Sequence, residues 1–258
     1  MARKWTKFPH ADKAYVHDAA SLKKQWARLH KGDAEPFPKD AGVLEAWRHF
    51  HAGDFGQAVE AGRSEGGAGI NAAVKAQTIY ASYLAKSDKA KIELLEEAAA
   101  LADARRREAP KDANAHYLYA FALGRYSQGI SVTKALAQGF GGKIKDALQA
   151  ALKLDAKHAD AHTAYGAYQA EVIDKVGGII AGMTYGAKKD SAIQHYETAV
   201  KLFPESPITH IEYANGLIML FGKSRIADAT KLYEKAASLK PLDAMERLDV
   251  ELAKSELE

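Results

Sequence analysis

Ten histidines and no cysteine set the chemistry open to this 258-residue chain. Histidine titrates near neutral pH and ligates zinc, so acid–base and metal roles are the first to weigh. His116, His162 and His210 are the most regularly placed. They hold one position of a repeated segment, so they recur along stacked helices about 10 Å apart, too far to share an ion whose ligand bonds are near 2 Å. That position reads as packing. His49 and His51 are two residues apart and fall on different sides of a helix. Glu171, Asp174 and Asp190 lie near one another in sequence, with nothing to pair them for proton transfer. The chain has no HExxH, GxSxG, GxGxxG, P-loop or EF-hand pattern. Without Cys there is no thiolate zinc site, Fe–S cluster or cysteine nucleophile. The expectation is a non-enzymatic protein with no cofactor and no metal. An enzyme would need a converging cluster of His and carboxylates.

The elements that carry these residues are helices. The sequence has 51 Ala against 9 Val, and alanine favours helices where valine favours strands. Three segments align: Ala113–Ala120, Ala159–Gly166 and Pro207–Ala214. Each has His fourth, Tyr seventh and a small residue eighth. Helices Ala192–x3–Tyr196–x2–Ala199–x4–Pro204 and Ala229–x3–Tyr233–x2–Ala236–x4–Pro241 follow the last two with identical spacing. Small residues let helices approach closely, aromatics fill the space beside them, and Pro ends the second helix. A weaker copy surrounds Trp47, Phe50 and the turn His51–Val59. Another runs from Gln77 through Tyr80 and Ala81 to Ser87–Asp88. About five helix-turn-helix repeats over roughly 40–241, closed by a helix at Leu242–Lys254, predict an all-α superhelix.

The repeats depart from regular spacing in one place each. His116 to His162 and His162 to His210 are longer than a 34-residue repeat allows, and the excess falls between the first and second helices, at 125–142 and 171–187. Both inserts are Gly-rich and apolar, and 176–187 carries no charge. Ile130, Leu136 and Phe140 in the first, with Ile179, Ile180, Met183 and Tyr185 in the second, could line a pocket for an apolar ligand or form a contact surface for a partner or membrane. They could equally be a layer that closes the superhelix. The concave face of such a stack would present Tyr117, Phe121 and Arg125, then Asp160, Thr163 and Glu171, then Ile211, Asn215, Ile218 and Met219. Lys75 and Asn215 are far apart in the array, so no clamp for a C-terminal carboxylate is expected.

This spacing of small and aromatic residues resembles the tetratricopeptide (TPR) repeat. Three stretches narrow the resemblance: His116–Tyr117–x–Tyr119–Ala120, Gly129–Ile130–x3–Lys134–x2–Ala137, and Ala151–Leu152–x–Leu154–Asp155. With the placement of the inserts, they are similar to the TPR domain of the regulator-of-microtubule-dynamics family over roughly 75–250. The architecture is also similar, more distantly, to the accessory T-component of tripartite (TRAP) transporters. The first resemblance implies a superhelical scaffold linked to microtubules and organelle contacts, some members with bound lipid. It assigns no residue a role.

Charge adds an N-terminal feature. Residues 1–31 carry eight Lys/Arg and two Asp, in a chain whose net charge is only +3. Tyr15, Ala19, Leu22, Trp26 and Leu29 step along one face of an amphipathic helix, so residues 1–38 read as a basic arm or capping helix and 39–258 as the solenoid domain. GDAEPFPKD (32–40) reads as a loop. A basic arm could dock on nucleic acid or an anionic membrane, but on a capping helix these lysines form the solvated back, so nucleic acid is not the expected partner. No apolar run near 18 residues is present, and the first residues lack an apolar signal core, so the expected compartment is the cytoplasm. Two functions follow. One is a scaffold that grips a protein or peptide through Tyr117, Phe121, Arg125, Ile211, Asn215, Ile218 and Met219. The other is a carrier of a small apolar molecule or lipid, held between that groove and the inserts.

Overall fold

A computed structural model describes residues 3–258; Met1 and Ala2, at the head of the basic arm, lie outside the described residues. The described chain is all-helical, with no strand among its residues, and its helices pack in consecutive neighbours as an α-solenoid. After a 3-10 turn at Lys13–Tyr15 come α1 (Ala19–Leu29), α2 (Ala41–Ala52), α3 (Phe55–Glu65), α4 (Gly69–Tyr83), α5 (Asp88–Glu108) and α6 (Ala113–Gln128). The first insert holds the short α7 (Val132–Ala137). Then follow α8 (Phe140–Leu154) and α9 (Ala159–Val176). The second insert holds α10 (Gly178–Ile180) and a π-helical turn at Ala181–Tyr185. The chain ends with α11 (Lys189–Leu202), α12 (Pro207–Phe221), α13 (Ile226–Ser238) and α14 (Ala244–Ser255).

Helix starts follow the sequence closely. Asp18, Asp40, Ser87, Asp112, Ser206 and Asp243 each cap a helix by accepting backbone N–H bonds of its first turn, satisfying donors that have no partner inside the helix. Helices α2 and α3, α4 and α5, α6 and α8, α9 and α11, and α12 and α13 pack as pairs. The small residues of the repeated pattern lie where helices approach: Ala120, Ala192, Ala199, Ala214, Ala229 and Ala236 are all buried. The Tyr196 ring fills the gap between α9 and α12. A Cβ built on Gly166 would lie 2.9 Å from that ring, and one on Gly216 2.5 Å.

Three expected boundaries move. Helix α6 runs on to Gln128 and α9 to Val176, so Arg125 and Glu171 stand on helix rather than in the inserts, and Phe140 already begins α8. Burial of Tyr126 and Ile173 on the added turns carries both helices past the aligned repeat end, until Gly129 and Gly177 stop them. At the N-terminus, Leu22, Trp26 and Leu29 are buried as the helical stripe requires, but Tyr15 reaches the core from the separate 3-10 turn, and Ala19 is exposed. Asp18 caps α1 by accepting from the Ser21 N–H at 2.7 Å, which sets the helix start there.

The superhelix is closed across its concave face by the chain's own ends. The Gly32 carbonyl accepts from the Asp160 N–H of α9 at 3.0 Å. On the other side α14 packs on α12 and α13 and reaches across to α2, where Asp243 meets His51 at 2.7 Å. Arg28 of α1 pairs with Glu246 of α14 at 2.7 Å.

Candidate functional site

Loop 32–40 is where the sequence and the structure part most. Asp33 and Glu35 are buried, although a DAEP loop reads as solvated. Lys75 of α4 donates to Asp33 at 2.6 Å and lies 3.9 Å from Asp160. His30 meets Asp33 through Nδ1 at 2.9 Å and His51 through Nε2 at 3.2 Å. Glu35 accepts from Asn114 at 2.6 Å, and Asn71 also donates to it. His158 caps α9 by accepting the Ala161 N–H on Nδ1, so its Nε2–H donates to Asn114 at 2.8 Å. Burial opposes the charge on Asp33, but Lys75 and His30 outweigh it and hold its carboxyl well below the usual range. Burial likewise opposes the Lys75 ammonium, and Asp33 and Asp160 raise it instead. Burial lowers His30 and His158 to about 4, which keeps both rings neutral. Asp33, Glu35 and Lys75 carry no repeat signal, and the one local sign is that loop 32–40 must turn sharply, with Ala34 at φ +48°.

Beside this polar plug two cavities meet at Arg125. The inner one, about 510 Å³, has Tyr117, Phe121 and Ile211 on its apolar wall and Lys75, Asp160 and Asp249 at its polar end. The outer one, about 610 Å³, lies under the first insert, with Ile130, Leu136 and Phe140 on one side and Tyr185 and Met219 opposite. Arg125, Gln128, Glu212 and Asn215 line both, so the two spaces adjoin across these side chains. Tyr117 and Phe121 stack in parallel at 5.9 Å between centroids.

The junction is charged. Arg125 bonds Glu212, and Gln128 donates to Glu171. Burial opposes the Arg125 charge, yet Glu212 outweighs it and fixes the guanidinium as a cation. Burial, with repulsion from Glu212, pushes Glu171 up to about 7. Burial pushes Asp249 up to about 8, against the bond it accepts from Tyr83. Burial raises Asp160 to about 6, against the pull of Lys75. At neutral pH the cavity therefore offers carboxyl O–H donors as well as acceptors beside the Arg125 and Lys75 cations.

The structure brings Tyr117, Phe121, Arg125, Ile211 and Asn215 together on the inner cavity, and Ile130, Leu136, Phe140, Tyr185 and Met219 on the outer one. It does not bring Ile218, Ile179, Ile180 or Met183 to either. Ile218 faces away on α12, and Ile179 and Met183 project from the second insert, 80% and 85% exposed. Lys75 and Asn215, far apart in sequence, line the same inner cavity because the superhelix curls back on itself. Both are engaged, Lys75 by Asp33 and Asn215 by the Tyr233 hydroxyl, so neither is left to clamp a carboxylate. The repeated histidines share one bond. His116, His162 and His210 place Nε2 at 3.0, 3.2 and 2.9 Å from the carbonyl six residues earlier, of Pro110, Ala156 and Pro204. That fixed offset was readable in the sequence. Among the described residues no group of three or more His, Asp or Glu is placed to hold a metal ion, and no helix is long and apolar enough to cross a membrane.

No curated protein matches the chain. The family model described as Regulator of microtubule dynamics protein 1-3 matches residues 70–257, from the start of α4 to beyond α14. That span holds both inserts and both cavities, and with the helical pairing described above it places the chain in the regulator-of-microtubule-dynamics family.

Proposed function

We propose that this protein binds an amphipathic small molecule or lipid in the adjoining cavities between its concave face and its inserts. In this reading residues 1–38 are a closing arm and 39–258 the solenoid. The observation that carries it is that two sizeable cavities adjoin, with Arg125, Gln128, Glu212 and Asn215 lining both. The arm and α14 already cross the concave face, which leaves less room for a partner helix and favours a smaller occupant. The apolar end lies under Ile130, Leu136 and Phe140. The polar end lies toward Arg125 and the partly protonated Glu171 and Asp249, which suit a head group rich in oxygen.

A second reading rests on the family. Its name supports a protein-interaction role connected with microtubules, cytoplasmic in setting and without chemistry of its own. The cavity and a protein contact can coexist, since they would use different faces.

Native mass spectrometry of the purified chain tests the first reading. A bound apolar species is expected, lost in Phe121→Asp, which sets a carboxylate in the apolar wall. Empty protein after incubation with phospholipid and fatty-acid mixtures would overturn it.

A further inference from the structure

The three connections at one edge of the solenoid, residues 129–145, 175–189 and 222–226, have an unusual composition. With the flanking helix turns included in these ranges, they carry eight Lys or Arg, and Asp146, Asp174, Asp190 and Asp228 stand just beyond their ends. They are also neighbours in space. A Cβ on Gly141 would meet the Tyr185 ring at 2.7 Å, and Lys145 Nζ lies 3.5 Å from the Cβ position of Gly186, which joins the first two. Lys189 donates to the Leu220 carbonyl and lies 5.0 Å over the Phe221 ring, and Arg225 lies 5.6 Å over the same ring, which joins the second to the third.

Large apolar side chains concentrate on the same edge. Of the eleven that are exposed among the described residues, eight lie in these connections or at the adjoining end of α12. Ile179 and Met183 are 80% and 85% exposed, Ile180 is 55% exposed, and Ile226 adds a fourth. Val132 and Leu136, also exposed, stand at the rim of the outer cavity. Lys175 and Arg225 are paired with Asp174 and Asp228. Lys134, Lys143, Lys145, Lys188, Lys189 and Lys223 meet no carboxylate within 4.0 Å among the described residues.

We propose that this edge docks on an anionic lipid bilayer, with Ile179, Ile180 and Met183 inserted among the lipids and the unpaired lysines against the head groups. Apolar tips ringed by cations are the pattern of an interfacial anchor. Solvated protein surface rarely leaves neighbouring Ile and Met so exposed without a use for them. An acidic polypeptide would complement the lysines but give the apolar tips nothing to enter, so charge and apolarity together favour the bilayer. The inference does not depend on the cavity being occupied, although docking would set the cavity rim against the membrane.

The test is co-sedimentation of the full chain with phosphatidylcholine vesicles, with and without phosphatidylserine. Binding is expected with phosphatidylserine and is expected to weaken as salt rises. Ile179→Asp with Met183→Asp should weaken it about tenfold or more. Both side chains are exposed, so the melting temperature should hold, and the species bound in the cavity by native mass spectrometry should be unchanged. Lys134→Glu with Lys188→Glu should weaken it on the charged vesicles. Absence of binding by the unaltered chain would overturn the proposal, as would equal binding to uncharged vesicles or full binding by the Ile179/Met183 variant. A change of oligomeric state in that variant, with vesicle binding unaltered, would assign the edge to a second copy instead. Sedimentation with microtubules but not with vesicles would assign it to an acidic polypeptide. Loss of the cavity species with vesicle binding retained would count against the ligand reading alone.

Discussion

Lys75 on α4 and Asp33 in the loop after α1 form a 2.6 Å ion pair in the closed heart of the superhelix, both side chains almost wholly buried. Asp160 on α9 stands 3.9 Å from the same ammonium. One lysine thus ties the N-terminal arm to two distant helices, and the arm blocks the concave face because of it.

Removing one partner of a buried pair leaves the other charged and unsolvated. Lys75→Met is therefore expected to cost about 3–5 kcal/mol, read by urea denaturation. The double variant Lys75→Met with Asp33→Asn should recover most of the loss, since only Asp160, already raised to about 6, is then left without its cation and can take up a proton. If the single and double variants were equally destabilised, the pair would not be what holds the arm.

The Tyr196 ring wedged between Gly166 and Gly216 gives a packing prediction. A Cβ at Gly216 would fall 2.5 Å from the ring, and the ring also has Gly166 behind it, so it cannot retreat. Gly216→Ala should cost about 1–3 kcal/mol by overpacking, even though alanine is the better helix former. Ala192→Leu and Ala229→Leu, at closely packed positions of α11 and α13, should cost a similar amount. An unchanged melting temperature in all three would contradict the close approach.

The histidines that cap the interhelical turns give a smaller effect. His210→Phe keeps the bulk but removes the donor to the Pro204 carbonyl. The expected loss is about 1 kcal/mol, measured by thermal denaturation. Because Nε2 donates, Nδ1 of His162 is left as an acceptor, so in the 2.7 Å contact with His195 the proton belongs to His195 Nδ1. Nitrogen-15 chemical shifts of the two rings check that assignment.

How much of this was legible follows from the kind of constraint. The pattern Ala192–x3–Tyr196–x2–Ala199 encodes local packing, and those side chains lie where the spacing put them. Tyr117, Phe121 and Arg125 share a face by helical periodicity alone, so the concave surface was readable too. The plug was not. Asp33, Glu35 and Asp243 are charged residues in or beside loops, where solvent is the default reading, and their burial depends on curvature accumulated over many helices. The same curvature brings Lys75 and Asn215 to one cavity. Nor could composition separate insert residues that face inward, such as Phe140, from those that face out, such as Met183, because glycine leaves the chain direction free there.

Buried titratable groups predict a two-sided pH dependence. His30, His158 and His195 are lowered to about 4, chiefly by burial, against an ordinary value of 6.5. Between those values the unfolded chain holds more protons, so they subtract stability as pH falls from 6.5. Asp249 and Glu35 are raised to about 8, again chiefly by burial, against 3.8 and 4.5. There the fold keeps a proton that the unfolded chain has released, so their contribution is full in acid and is lost as pH rises through about 8. Stability should therefore decline on the alkaline side by up to about 1.4 kcal/mol per pH unit for each such carboxyl. Asp249→Asn keeps an oxygen to accept from the Tyr83 hydroxyl and cannot ionise. It should flatten the decline between pH 6.5 and about 8, and steepen the acid limb between about pH 4 and 6.5, where Asp249 opposes the histidines. Differential scanning fluorimetry across that range checks this: parallel curves for the variant and the unaltered chain would mean that Asp249 is already ionised in the fold.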